Sequence, residues 1–169
     1  MKFLGLPGIR PATKKWLQDL IVALGEDYRD SKILEYRHWS DNSNVDIGYE
    51  ASYLENVSVD LVIAKSLGTA VATQAFDSFN FRPKYAVLIG SPLKRHSQDN
   101  YSLLNKFVDS VPTLFIQQTA DIVGSYGELK EVVRKLQNAR IKEVPGDDHV
   151  YDNIDELRSI IQSALSAGA

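Results

Sequence analysis

Six short apolar runs, separated by stretches of helical periodicity, constrain this chain more than any other feature of its sequence. The runs are Lys2–Leu6, Lys32–Tyr36, Leu61–Ala64, Tyr85–Ile89, Thr113–Gln117 and Arg140–Val144. Between them Trp16, Leu17, Leu20, Ile21 and Leu24 share one helical face, as do Leu103, Leu104, Phe107 and Val108, and again Leu129, Val132, Val133 and Leu136. Ile154, Leu157, Ile160, Ile161 and Leu165 predict a closing amphipathic helix, and Gly48–Glu55 is read as a helix before the third run. Strands that alternate with helices form a parallel sheet covered on both faces. The middle runs, Leu61-Val62-Ile63-Ala64 and Tyr85-Ala86-Val87-Leu88-Ile89, are almost continuously apolar, as burial on two sides requires. The expected fold class is therefore α/β, a three-layer sandwich with a six-stranded, mainly parallel sheet. The chain, 169 residues long, is read as a single domain, 1–169, large enough to bury a core without disulfides or metals.

Charge and composition remove several function classes. With 19 Lys+Arg against 22 Asp+Glu the formal charge is −3, and the basic residues are scattered, so no electrostatic footprint for nucleic acid is present. The absence of cysteine excludes a thiol nucleophile, a disulfide framework and cysteine-held metals. No apolar run approaches membrane-spanning length, and Met1–Arg10 lacks a signal-peptide core. The expectation is a cytoplasmic protein with no membrane span, acting on a small molecule, its oligomeric state left open.

In parallel α/β sheets, ligands sit beyond the carboxyl ends of the strands, so the informative residues are those that follow each run. After the third comes Ala64-Lys65-Ser66-Leu67-Gly68, then a helix of small residues beginning Thr69-Ala70-Val71-Ala72. A serine flanked two residues away by Ala and Gly, between a buried strand and a helix, fits a sharp nucleophile turn. It would also place Ser66 at a helix N-terminus, where backbone N–H groups favour developing negative charge. The competing reading is an ordinary serine N-cap. After the fifth run Asp121 is placed to orient an imidazole, or else to cap a loop. After the sixth, Gly146-Asp147-Asp148-His149 supplies a candidate base. His38, in Tyr36-Arg37-His38-Trp39, is its competitor, and His96 reads as solvent-exposed. Asp147 and Asp148 compete with Asp121 for the acid. The order Ser66, Asp121, His149 along the chain is that of hydrolases built on this type of sheet. After the first run, Pro7-Gly8-Ile9 can present a backbone N–H, that of Ile9, beside the N–H of Leu67 as an oxyanion hole. Trp39, Tyr126 and Tyr151 follow strands and are expected to line the pocket.

On these residues the chain resembles the α/β-hydrolase superfamily over essentially its whole length. More narrowly it is similar to small serine hydrolases of the retinoblastoma-binding-protein type, which carry no cap. The matching segments are Pro7-Gly8 before the Trp16 helix, Lys65-Ser66-Leu67-Gly68, Asp121-Ile122-Val123, and Gly146-Asp147-Asp148-His149. Ala64 departs from the usual glycine, and the acidic pair 147–148 from the usual small residues. The resemblance implies strand order 2-1-3-4-5-6, a sheet without the superfamily's first two strands, and hydrolysis of an ester or related acyl bond by Ser66, His149 and Asp121. No metal or cofactor is required. Gly90–Ser110 leaves no room for a lid domain, which predicts a shallow, open pocket. Two other classes compete with this reading. One is a catalytically silent binding module with the same fold. The other, a nucleotide-binding domain, lacks both G-x-G-x-x-G and G-x-x-x-x-G-K-[ST].

Overall fold

The computed structural model describes residues 1–25, 31–95 and 98–167; His96 lies outside them. Six strands form one sheet in the order β2-β1-β3-β4-β5-β6, and every neighbouring pair is parallel. They are β1 (Phe3–Leu6), β2 (Lys32–Ile33), β3 (Ser58–Lys65), β4 (Arg82–Ile89), β5 (Thr113–Gln118) and β6 (Ala139–Val144). The helices are α1 (Ala12–Ala23), α2 (His38–Asp41), α3 (Ile47–Ser52), α4 (Leu67–Ser78), α5 (Gln98–Ser110), α6 (Tyr126–Val133) and α7 (Ile154–Ser166).

Period-two alternation divides the buried runs between two cores. Phe3, Leu61, Ile63, Val87, Ile89, Leu114 and Ile116 face α1 and α7, which contribute Leu17, Leu20, Ile21, Leu157 and Ile161. Leu4, Leu6, Val62, Ala64, Ala86, Leu88 and Phe115 face the other way, against side chains of α3, α4, α5 and α6. Leu17, Leu20 and Ile21 are fully buried, each contributing about 1.5–3 kcal/mol by removal from water.

Several elements depart from the sequence reading. β2 is a two-residue strand rather than Lys32–Tyr36. Its only neighbour, β1, ends at Leu6, and Pro7 has no N–H with which to continue a ladder. The chain then leaves the sheet, while Leu34 and Tyr36 stay buried. The residues after it form a single helical turn, α2, that local periodicity does not foretell. In contrast, β3 and β4 start earlier than their apolar stretches, because Ser58 and Val59 pair with Arg82 and Pro83.

Candidate active site

The carboxyl ends of β3, β5 and β6 converge, and with them Ser66, Asp121 and His149. Ser66 has φ 50° and ψ −112°, and its side chain makes no capping bond to α4. The simple N-cap reading therefore fails. Its Oγ lies 2.9 Å from His149 Nε2 instead. The turn is possible because Gly68 passes against β1: a Cβ there would sit 2.1 Å from the Leu6 carbonyl oxygen. On the far side of the imidazole, His149 Nδ1–H donates to Asp121 Oδ2 at 2.8 Å.

Asp121 is buried, and burial by itself raises a carboxyl's pKa. Hydrogen bonds from His149, from the Val123 N–H (2.9 Å) and from the Tyr151 hydroxyl (2.8 Å) outweigh it and hold the group below the usual carboxylate range. Asp148, by contrast, accepts from Gln118 Nε2 and from the Val150 N–H, both at 2.9 Å. It braces the histidine loop without contacting the ring nitrogens.

Backbone strain is concentrated here. Of the non-glycine residues with positive φ among those described, three are asparagines; the others are Ser66, His149 (64°) and Tyr151 (64°). Asparagine tolerates this region, whereas a tyrosine there is an outlier, and such residues persist only where the surroundings over-determine them. The bracing is visible. Gln118 Oε1 accepts the His149 N–H at 2.8 Å, and Lys65 Nζ donates to the His149 carbonyl at 2.8 Å. Tyr151 accepts the Gln118 N–H at 2.9 Å, and Trp16 Nε1 donates to the Tyr151 carbonyl at 2.8 Å. Burial lowers the Lys65 pKa to about 8 against the opposing pull of Asp121 and Asp148. Its ammonium stands over the Tyr151 and Trp16 rings, at 4.7 and 5.5 Å from their centroids.

The turn after β1 lies against the serine: a Cβ on Gly8 would be 3.6 Å from Ser66 Cβ. Its carbonyls are tied away from the site. Tyr36 Oη donates to Pro7 O at 2.8 Å, and both His38 Nε2 and Trp39 Nε1 donate to Ile9 O at 2.9 Å. Neither the Ile9 nor the Leu67 N–H donates to another protein group among the described residues. His38 is thus engaged with a loop carbonyl, and Ser66 Oγ meets His149.

Beside Ser66 opens a cavity of about 600 Å³, well within the range of small-molecule sites. Val45 and Ile47, which the sequence reading did not single out, are among its lining residues. The three aromatic residues predicted to line it do not. Trp39 is turned onto Ile9 O and borders a separate depression with Tyr36 and Tyr53. Tyr151 is buried beneath the imidazole, its hydroxyl spent on Asp121 and Gln118. Tyr126 is on α6, with Lys130 over its ring. Sequence reasoning also passed over Trp16 as a cavity residue and over Lys65 and Gln118 as braces. The available signal was polarity at buried strand ends, Lys65 closing β3 and Gln117-Gln118 closing β5.

The order of strands, the two-sided helical cover and the strained turn into α4 are those of the α/β-hydrolase fold. No protein-family model and no curated protein matches the chain. Solved structures do. The ydeN gene product from B. subtilis is 15% identical with a TM-score of 0.61, the match covering 97% of each chain. MGS-MChE2, an α/β hydrolase from the metagenome of lagoon sediments of Mar Chica, Morocco, is 17% identical with a TM-score of 0.67, covering 98% of this chain and 90% of that one. The esterase EaEST from Exiguobacterium antarcticum is 12% identical with a TM-score of 0.68, covering 98% and 92%. Among the described residues no helix is long and apolar enough to cross a membrane.

Proposed function

We propose that this chain is a serine hydrolase that cleaves a carboxylic ester or related acyl bond through an acyl-enzyme. The observation that carries the reading is the hydrogen-bonded series from Ser66 Oγ through His149 to Asp121, with the serine held at positive φ and turned away from capping its helix. His149 Nε2 takes the proton as Ser66 Oγ attacks the acyl carbon. The Ile9 and Leu67 N–H groups receive the oxyanion, and the tying back of the turn's carbonyls supports that role. His149 then returns the proton to the leaving group, and water repeats the sequence to release the acid. Asp121 holds the imidazole with Nδ1 protonated and stabilises the imidazolium as it forms. The names of the structural neighbours, an esterase and an α/β hydrolase among them, agree with this chemistry without carrying it.

The test is labelling with a fluorophosphonate probe and mapping of the modified peptide. The label is expected on Ser66 and is expected to vanish in Ser66→Ala, whose circular dichroism stays unchanged. Labelling that persists in this variant overturns the assignment.

A further inference from the structure

Eight large apolar side chains are strongly exposed among the described residues, and four of them, Ile9, Val45, Ile122 and Val150, stand on the wall of the Ser66 cavity. They arrive from four separate connections: after β1, before α3, after β5 and after β6. Single exposed apolar residues are ordinary on any protein surface; four converging from separate loops on one hydroxyl form an apolar ligand wall. Deeper in, Trp16, Ile47 and Ala70 continue it.

The polar groups in the wall are mostly committed elsewhere. Lys65 is on the His149 carbonyl, Asp148 on Gln118 and Val150, and the Thr13 hydroxyl on the Arg10 carbonyl at 2.6 Å. Asp148, the one carboxylate among the lining residues, takes both of its bonds on Oδ1, and the Lys65 ammonium offsets its charge toward an approaching amine. Arg10, at the exposed rim, is the one charged side chain there without a partner among the described residues.

We propose that the site takes neutral esters with an apolar acyl chain of medium length, and disfavours acyl groups bearing a charge or an amine. This rests on the hydrolase reading above. A buried methylene is worth up to about fourfold in binding, and about twofold when one side stays wet. Four additional methylenes therefore favour p-nitrophenyl hexanoate over p-nitrophenyl acetate by roughly 15- to 250-fold in kcat/KM. The shared leaving group makes that ratio a readout of the acyl side alone. The p-nitrophenyl esters of succinate and of alanine are expected to fall below hexanoate, and Val45→Ser and Ile122→Ser to shrink the hexanoate-to-acetate ratio by about fivefold or more. Probe labelling of both variants checks that they are folded.

A ratio near one overturns the proposal, as does a best rate with the succinyl ester, which would assign Arg10 to an anionic acyl group, or with the alanyl ester. A ratio unchanged in both variants overturns it too. Labelling of Ser66 alongside a flat ester profile removes this inference alone; absence of labelling in the wild type removes the hydrolase reading and this one together.

Discussion

Among the described residues two buried carboxylates face a histidine, and they are in opposite electrostatic situations. Asp121 receives three hydrogen bonds, from His149, Val123 and Tyr151, and its pKa is lowered in spite of burial. Glu50 lies behind the β1 turn with Oε1 4.0 Å from His38 Nδ1. Its one hydrogen bond comes from the Arg37 N–H at 2.9 Å, while Oε2 and the His38 Nδ1 are buried without partners. Burial therefore dominates there, and the Glu50 pKa is raised. In these two pairs the number of donors decides the direction in which a buried carboxylate's pKa moves. They also differ in what the imidazole does with its far nitrogen. His149 offers Nε2 to a serine hydroxyl, and His38 spends Nε2–H on a backbone carbonyl. One arrangement suits proton transfer; the other holds a loop.

The sharpest way to break this contrast is to remove each imidazole in turn. His149→Ala is expected to lose about 10⁴-fold or more in kcat on an ester. Outright loss of an oxyanion donor costs about 10²–10³, and with Trp39 still on the Ile9 carbonyl His38→Ala should cost only about tenfold. The reverse ranking would make His38 the base. Next come the acids, compared on the same ester. Asp121→Asn favours the wrong imidazole tautomer, a change that costs roughly 10⁴ in a serine protease. Asp147→Asn and Asp148→Asn should lose about tenfold through altered field and loop bracing. A greater loss at either neighbour moves the acid there.

The smallest effect separates the carboxylates by stability. A folded-state pKa that is raised, as for Glu50, means that the native state binds more protons in the mildly acidic range. Its contribution is then full below the unfolded carboxyl's pKa and is lost as pH rises through the folded value. Glu50→Gln keeps an oxygen for the Arg37 N–H and discards the charge. Its melting temperature should exceed wild type at neutral pH, with the advantage shrinking on acidification. Asp121 runs the other way: its contribution is present above the unfolded pKa and is lost as pH falls through the lowered folded value. Asp121→Asn should thus melt below wild type at neutral pH. Thermal melts of both variants between mildly acidic and neutral pH provide the check, and a common sign would refute the contrast.

Much of the fold was legible because its signals are local. Two-sided apolar runs and helical stripes need only neighbours a few residues away, and they located six strands and most helices. Strand-end positions likewise picked out Ser66, Asp121 and His149, because a parallel sheet sends all its carboxyl ends to one edge. Side-chain direction at those ends was not legible. Tyr151 follows a strand yet turns under the imidazole, and Trp39 turns onto a carbonyl that is distant in sequence. The length of β2 depended on where β1 stopped, a limit set by a neighbouring strand. By itself, then, the sequence determined the layered parallel architecture and the loops on which the candidate groups stand, since periodicity and chain order are properties of the chain. Only the tertiary structure decided which histidine meets the serine, which carboxylate gathers three donors, and that Val45 and Ile47 line the cavity. Those outcomes are contacts between segments far apart in the chain, and no local pattern encodes the angle at which such segments meet.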